Sequence, residues 1–461
     1  MIPPELLMRL QELAGPGGLL TDPADCWAYG YDNSQRQANP AAVFFVSGEE
    51  QVPPLLRLCN QYGVAVSARG RGTGTTGATV PDPGGLVVSF ERMGRIRRID
   101  PNDRLAIVEP GVLNETLQRA AAEHGLFWAP DPSSAAFCSV GGNLAHNSAG
   151  PRAVKYGTAR ENTLGLRAVT GCGDPIRTGT LTTKGVVGYD LTRLLIGSEG
   201  TLALITEATL KLLPLPEAKR TLRAIYHDIH AAAAAVAAIM ARPVIPSALE
   251  LMDGAALAAV RCYSDPGLHC DAGALLMIEV DGPAAGIDTA AELLARAARV
   301  PGLVEIATAA DAEETDRLWK TRKALSPAMR HIAPKKINED VAVPVSRIGT
   351  LIDGLERLAH DIGIPIVNYG HAGNGNIHVN LLVDPGVTGQ MARAEQGLEA
   401  LFEMVLGLGG TLSGEHGVGL VKRRHVANEI DPAALILMRA IKQQFDPNGI
   451  LNPGKTLPDL G

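Results

Sequence analysis

At 461 residues the chain is long enough for two or three domains, each with its own core. Hydrophobic residues make up 46% and charged residues 20%, an ordinary soluble globular composition, and the net charge of −7 leaves no electrostatic footprint for nucleic acid or anionic lipid. No basic segment leads into an apolar one at the N-terminus, and the longest apolar run, 231–241, is too short to span a bilayer, so the expectation is a cytoplasmic protein without signal peptide or transmembrane segment, or one held peripherally at the inner membrane.

In chain order, 43–46 reads as a short strand. Residues 50–62 read as a helix, with Val52, Leu55, Leu56 and Leu58 at helical spacing, and 64–66 as a second strand. The basic run 92–98 reads as a solvated surface strand, 86–90 and 106–109 as further strands, and 114–124 as a helix stopped by Gly125. Strands at 201–205 and 207–213 close a first domain near Pro214 and Pro216. From Thr221 a strand-like start, an alanine-rich helix, a strand at 274–280 and a helix at 288–298 indicate a separate α+β unit. Residues 390–445 read as mostly helical and 446–454 as turn-rich. Six cysteines, with no C-x-x-C pair, indicate reduced and mostly buried thiols, with a Cys262–Cys270 disulfide or metal clip as the minor alternative.

Three loops carry cofactor chemistry. Arg69-Gly70-Arg71-Gly72-Thr73-Gly74-Thr75-Thr76-Gly77 lets successive backbone N–H groups point into one concavity, an anion site that needs no side-chain charge. It lacks the G-K-[ST] of a nucleotide-triphosphate loop, and Pro81 just beyond it argues against the Rossmann fingerprint. Taken alone it reads equally well as a flexible turn. Small-residue runs at 131–134 with 138–150, and at 197–202, repeat the chemistry, and several such loops imply a long, multi-contact cofactor.

Near the C-terminus, 368–380 and 413–419 place His371, His378, Glu415 and His416 among glycines. Neutral imidazoles with a carboxylate are a Zn²⁺- or Mn²⁺-type ligand set, and an open position would make the ion catalytic. Either histidine alone would more often be a hydrogen-bonded loop residue. With Glu415 the metal reading prevails, and zinc is preferred over manganese or iron.

Together, Arg69–Gly77, Gly141-Gly142-Asn143, 197–201, 370–378, Glu415-His416 and 452–455 resemble, in the family's order and over nearly the whole chain, the flavoproteins of vanillyl-alcohol oxidase type. The D-2-hydroxy acid dehydrogenases are the subgroup approached, comprising D-lactate dehydrogenases, glycolate oxidase catalytic subunits and D-2-hydroxyglutarate dehydrogenases. The resemblance implies an α+β, two-subdomain FAD-binding fold at 1–216, an α+β substrate (cap) domain at 217–400 and a C-terminal helical segment at 401–461 closing over the flavin. It implies non-covalent FAD on Arg69, Gly70, Arg71, Gly72, Thr73, Gly74 and Gly77. Pro130, Asp131, Ser133, Ser134, Ser139, Gly142, Asn143 and Asn147 would line the isoalloxazine and ribityl path, and Gly200, Ile205 and Asn452 would add contacts.

By the same resemblance His371, His378 and Glu415 hold the metal, His416 is the base, Arg322 takes the substrate carboxylate, Ser326 donates to a second carboxylate and Asn380 lies beside the metal. The activity implied is oxidation of a D-2-hydroxy acid, D-lactate first, by hydride transfer from C2 to flavin N5, with glycolate or D-2-hydroxyglutarate as alternatives. Hydroxyglutarate-specific relatives carry a lysine near Asn338, where this chain offers Lys336 on the same strand face. A quinone, a cytochrome or an electron-transfer flavoprotein would accept the electrons, and a homodimer is the default assembly. His124, His146, His227, His230 and His269 are expected to be surface or packing residues. From other classes, a metal-dependent hydrolase and a non-catalytic flavin-binding subunit remain alternatives.

Overall fold

The computed structural model describes residues 2–263 and 272–459; His269 and the Cys262–Cys270 clip lie outside the described residues. Two compact units result, one formed by Met1–Gly150, Gly157–Leu215 and Glu415–Gly461, the other by Pro151–Tyr156 and Pro216–Gly414.

Among the described residues, the first unit is built on a four-stranded and a five-stranded sheet. In the smaller, Ala42–Phe45 and Val66–Arg69 pair in parallel with Leu86–Ser89 on either side of it. Strands buried on both faces read as continuous apolar runs rather than alternating ones, which is why these segments were legible. The helix Val52–Tyr62 lays Val52, Leu55, Leu56 and Cys59 on this sheet and ends at Gly63, φ +63°. The strand expected at 64–66 lies at Val66–Arg69, so it feeds its last residue directly into the glycine loop.

The five-stranded sheet is antiparallel, in the order Ile96–Asp100, Leu105–Val108, Ala203–Lys211, Thr163–Thr170, Pro175–Gly179. The two strands expected at 201–205 and 207–213 are one, Ala203–Lys211, with a register shift between Ile205 and Glu207. A bulge interrupts the alternation without ending the ladder, so the sequence pattern reads as a break. The final turn belongs here too: Leu451 bridges Val66, and the Asn452 N–H donates to the Val66 carbonyl at 2.7 Å.

The second unit is a seven-stranded antiparallel sheet in the order Leu303–Thr308, Ala218–Tyr226, Ala274–Gly282, Ala248–Asp253, Ile366–His371, Asn376–Val383, Lys335–Ala342. One face packs its apolar core under helices Ile229–Met240, Ile287–Ala297, Ile348–Ile362 and Gln390–Gly407. The other packs under Gly254–Tyr263 and Ala312–Met329. In Asn376–Val383 the side chains of Ile377, Val379 and Leu381 go to the first core, which by the strand period of two sends His378 and Asn380 to the second face. No helix among the described residues is long and apolar enough to cross a membrane.

Candidate active site

In the first unit a groove of about 610 Å³ opens beside the glycine loop, lined among others by Arg69, Gly70, Ser139, Gly142, Gly200 and Ile205, all expected cofactor contacts. The loop lies so close to the helix Val140–His146 that a Cβ on Gly70 would sit 2.3 Å from Ser139 Oγ. Ser139 caps that helix, its hydroxyl accepting from the Gly142 N–H at 3.3 Å. Gly72 adopts φ +66°, and a Cβ there would meet the Arg69 guanidinium at 2.3 Å. Along the glycine loop the groove is therefore walled by backbone and small residues, the surface a flat, phosphate-bearing cofactor needs.

Several expected contacts also hold the groove's frame. Arg69 donates from Nη1 to the Tyr31 carbonyl at 2.8 Å and from Nη2 to the Ala28 carbonyl at 3.3 Å, tying down the N-terminal segment. The Gly77 N–H donates to Asp32 Oδ2 at 3.0 Å, which makes buried Asp32 the anchor of the loop. Arg71 faces Glu91 at 3.9 Å, and the Thr73 and Gly74 carbonyls accept from Asn33. Asn143 accepts from Asn114 Nδ2 at 3.1 Å, and Pro130 offers its carbonyl to the same amide at 3.0 Å. The Asp131 N–H donates to the Ala149 carbonyl, and the Ser134 carbonyl accepts from Phe137 and Cys138, while Ser133 is exposed on that turn. Asn147, φ +53°, accepts from Thr158 Oγ1 at 2.8 Å and the Arg160 N–H at 2.9 Å. Asn452 does not line the groove. Its Nδ2 donates to the carbonyls of Ala78 at 2.9 Å and Glu199 at 2.7 Å, a knot that fastens the C-terminus to the cofactor loops.

Two ionisable groove residues were not among the expected contacts. His146, expected to be a surface or packing residue, lines the groove: its Nδ1 meets the Gly142 carbonyl at 3.1 Å while buried Nε2 has no partner within the protein. The signal was there, a histidine inside a small-residue run, but without the helix Val140–His146 its direction was unreadable. Buried Glu199, φ +53°, accepts from the N–H groups of Val418 at 2.6 Å and Gly419 at 2.8 Å and from Thr456 Oγ1 at 2.9 Å. It thus clamps the segment that begins with Glu415 and His416. Glu415 itself accepts from the Gly150 N–H at 2.8 Å, and His416 is half-buried.

The second unit gathers the charged groups on the sheet face that carries His378. In register, Met252 opposes Tyr369, Tyr369 opposes His378 and His378 opposes Asp340; one row along, Glu250 opposes His371. His371 Nδ1 meets Glu250 Oε1 at 2.6 Å, and the His371 and His378 rings stand edge to face, centroids 5.2 Å apart. From the helix Ala312–Met329, Arg322 donates Nε to Glu250 Oε2 at 2.8 Å and stacks its guanidinium 4.5 Å above the Tyr369 ring. Burial opposes ionisation of Glu250, yet His371 and Arg322 beside it hold its carboxyl below the usual glutamate range. Glu250 and Asp340 were missed in the sequence, where each is one of two acids within a strand and nothing marks its partner.

Asn380 is fully buried and its amide is consumed by the fold: Nδ2 donates to the Val367 and His378 carbonyls, each at 3.0 Å, and Oδ1 accepts from Asn338 Nδ2 at 2.7 Å. These bonds tie Asn380 into the strand Asn376–Val383 that carries His378. Ser326, one turn beyond Arg322, accepts from Lys336 Nζ at 2.9 Å, and burial, with Arg330 nearby, pushes Lys336 down to about 8. The unit ends where Ser413 Oγ donates to Asp340 Oδ2 at 3.3 Å and the Gly414 N–H to the Asp340 carbonyl at 3.3 Å, immediately before Glu415 and His416.

A cofactor groove without nucleotide-triphosphate or Rossmann signatures and a separate sheet bearing two histidines under a buried arginine belong here to a flavin-dependent oxidoreductase. Residues 40–179 match the FAD binding domain family and residues 215–456 the family of FAD linked oxidases, C-terminal domain. The chain belongs to the FAD-linked oxidases of vanillyl-alcohol oxidase type, on the 2-hydroxy acid branch. It is 39% identical over 456 residues to glycolate oxidase subunit GlcD of Bacillus subtilis, covering 99% of this chain and 97% of that one. It is 36% identical over 446 residues to a D-lactate dehydrogenase of Archaeoglobus fulgidus, covering 94% and 96%. The structure of p-cresol methylhydroxylase superposes with a TM-score of 0.80 at 18% identity, covering 99% of this chain and 96% of that one, a likeness of fold.

Proposed function

We propose that the chain oxidises a short D-2-hydroxy acid, D-lactate first, to the 2-oxo acid. The first unit would hold FAD non-covalently, the second would bind the acid, and His371, His378 and Glu415 would ligate a divalent metal, zinc before manganese or iron. FAD supplies the hydride acceptor when bound, and the metal a Lewis acid for the substrate hydroxyl. The groove supports FAD by its fit: a glycine loop in which a Cβ on Gly70 or Gly72 would collide with Ser139 or Arg69, and an unpartnered buried His146 nitrogen facing it. The metal reading rests on donor chemistry. His371, with Nδ1 turned to Glu250, presents Nε2 as its ligand atom, and the Asp340-bound turn at Ser413–Gly414 leads directly into Glu415.

The observation that carries the proposal is Arg322, buried and held by Glu250 and the Tyr369 ring over the sheet face that carries both histidines. Arg322 binds the carboxylate, which fixes the hydrogen on C2 that is presented and so the D configuration. His416 takes the hydroxyl proton. Glycolate, the same acid without the methyl group, is supported by the likeness to the Bacillus subtilis subunit. Lys336 against Ser326 favours a further reading, an acid with a second anionic end.

Anaerobic addition of D-lactate, L-lactate, glycolate and D-2-hydroxyglutarate to the purified protein tests this through the flavin's visible band. Rapid bleaching by a D-acid, lost with a chelator and restored by Zn²⁺, is expected. A yellow protein that none of the four bleaches overturns the substrate class, and a protein that takes up no FAD overturns the whole reading.

A further inference from the structure

Glu250 stands in a strand whose other side chains are largely apolar, and it is fully buried. A buried carboxylate is costly unless each oxygen is satisfied by a strong donor. Here the two donors are the two residues that the functional reading assigns to different ligands: His371 Nδ1 on Oε1 at 2.6 Å, and Arg322 Nε on Oε2 at 2.8 Å. The sheet register places Glu250 directly opposite His371, while Arg322 arrives from the covering helix Ala312–Met329 and is braced on the Tyr369 ring at 4.5 Å.

We infer that Glu250 is a positioning residue that couples metal binding to capture of the substrate carboxylate. The inference rests on the assignment of His371 to the metal and Arg322 to the acid. Accepting from Nδ1, Glu250 fixes the imidazole tautomer with Nε2 as the ligand atom and raises its basicity. Accepting from Nε of Arg322, it turns the terminal Nη pair toward the acid, so the carboxylate is gripped end-on. The two tasks share one negative charge. A metal on His371 makes Nδ1–H a stronger donor and draws the Glu250 charge toward it, which leaves Arg322 less neutralised and strengthens its hold on an anion. By linkage the anion strengthens metal binding by the same factor.

Propionate isolates this effect, because it carries the carboxylate of lactate without the hydroxyl that a metal would bind. Zn²⁺ affinity of the FAD-loaded, metal-stripped protein is measured against a chromophoric chelator with and without saturating propionate, and propionate affinity with and without Zn²⁺, in the wild type, E250Q, R322A and H371A. Wild type should show reciprocal, several-fold tightening. E250Q, with unchanged flavin content and circular dichroism, should bind Zn²⁺ roughly 10- to 100-fold more weakly and lose the coupling. Equal Zn²⁺ affinity and intact coupling in E250Q overturn the inference, and so does absence of coupling in the wild type, which needs no folded variant. Failure of the underlying reading looks different: H371A would then bind Zn²⁺ like wild type, or R322A would bind propionate like wild type, and the inference would fall with it.

Discussion

The two units solve recognition by opposite means. Around the groove the first unit presents backbone N–H groups, glycines and serine hydroxyls, and most of its charged side chains, Arg69, Asp32 and Glu199, are spent holding loops in place. The second unit presents charged side chains from a sheet face, and the backbone only sets their spacing. A backbone site tolerates changes of side chain and fails when a Cβ intrudes. A side-chain site tolerates changes of volume and fails when one charge loses its partner.

The sharpest way to break this contrast is to remove the proposed base. His416→Ala should lower turnover by about 10²–10⁴-fold while visible absorbance shows FAD retained; unchanged turnover would sink the assignment. Arg322→Ala comes next. Losing a buried charge pair costs about 2–5 kcal/mol, expected as a raised KM for D-lactate with flavin affinity intact, and lysine should rescue only in part because it lacks the bidentate fork. Gly70→Ala reverses the pattern: overpacking against Ser139 costs about 1–3 kcal/mol, read as weaker FAD binding with metal affinity unchanged. If that variant binds FAD normally, the loop is not the cofactor's wall.

Smaller effects sharpen the picture. His146→Ala removes an acceptor worth about 0.5–1.5 kcal/mol, visible as a severalfold rise in the FAD dissociation constant; no change would return His146 to packing. Lys336, pushed down to about 8 by burial, is charged at pH 7 and loses its proton as pH rises past that value. The preference for a diacid over D-lactate should therefore decline between pH 7 and 9. The change corresponds to about 0.2–1 kcal/mol, the worth of a partly exposed ion pair, and the ratio of the two KM values measures it.

Glycine runs, apolar strands and the order of the loops are local properties, so the α+β class, the flavin-binding family and the small-residue groove were legible from the sequence alone. Steric exclusion at Gly70 and buried parallel strands at 42–45 and 86–89 leave their mark in residue type. Glu250, Asp340, Glu199 and Asp32 were not legible, because each acts on residues distant along the chain, 121 positions apart for Glu250 and His371. The motifs that single out Asn380 and Asn452 did not reveal that the Nδ2 of each donates to two backbone carbonyls. The sequence by itself determined which chemistry is present. Only the tertiary structure decided which partner each buried polar atom takes, because that depends on strand register and helix placement, and a buried charge is stable only where those bring its counterpart within hydrogen-bond reach.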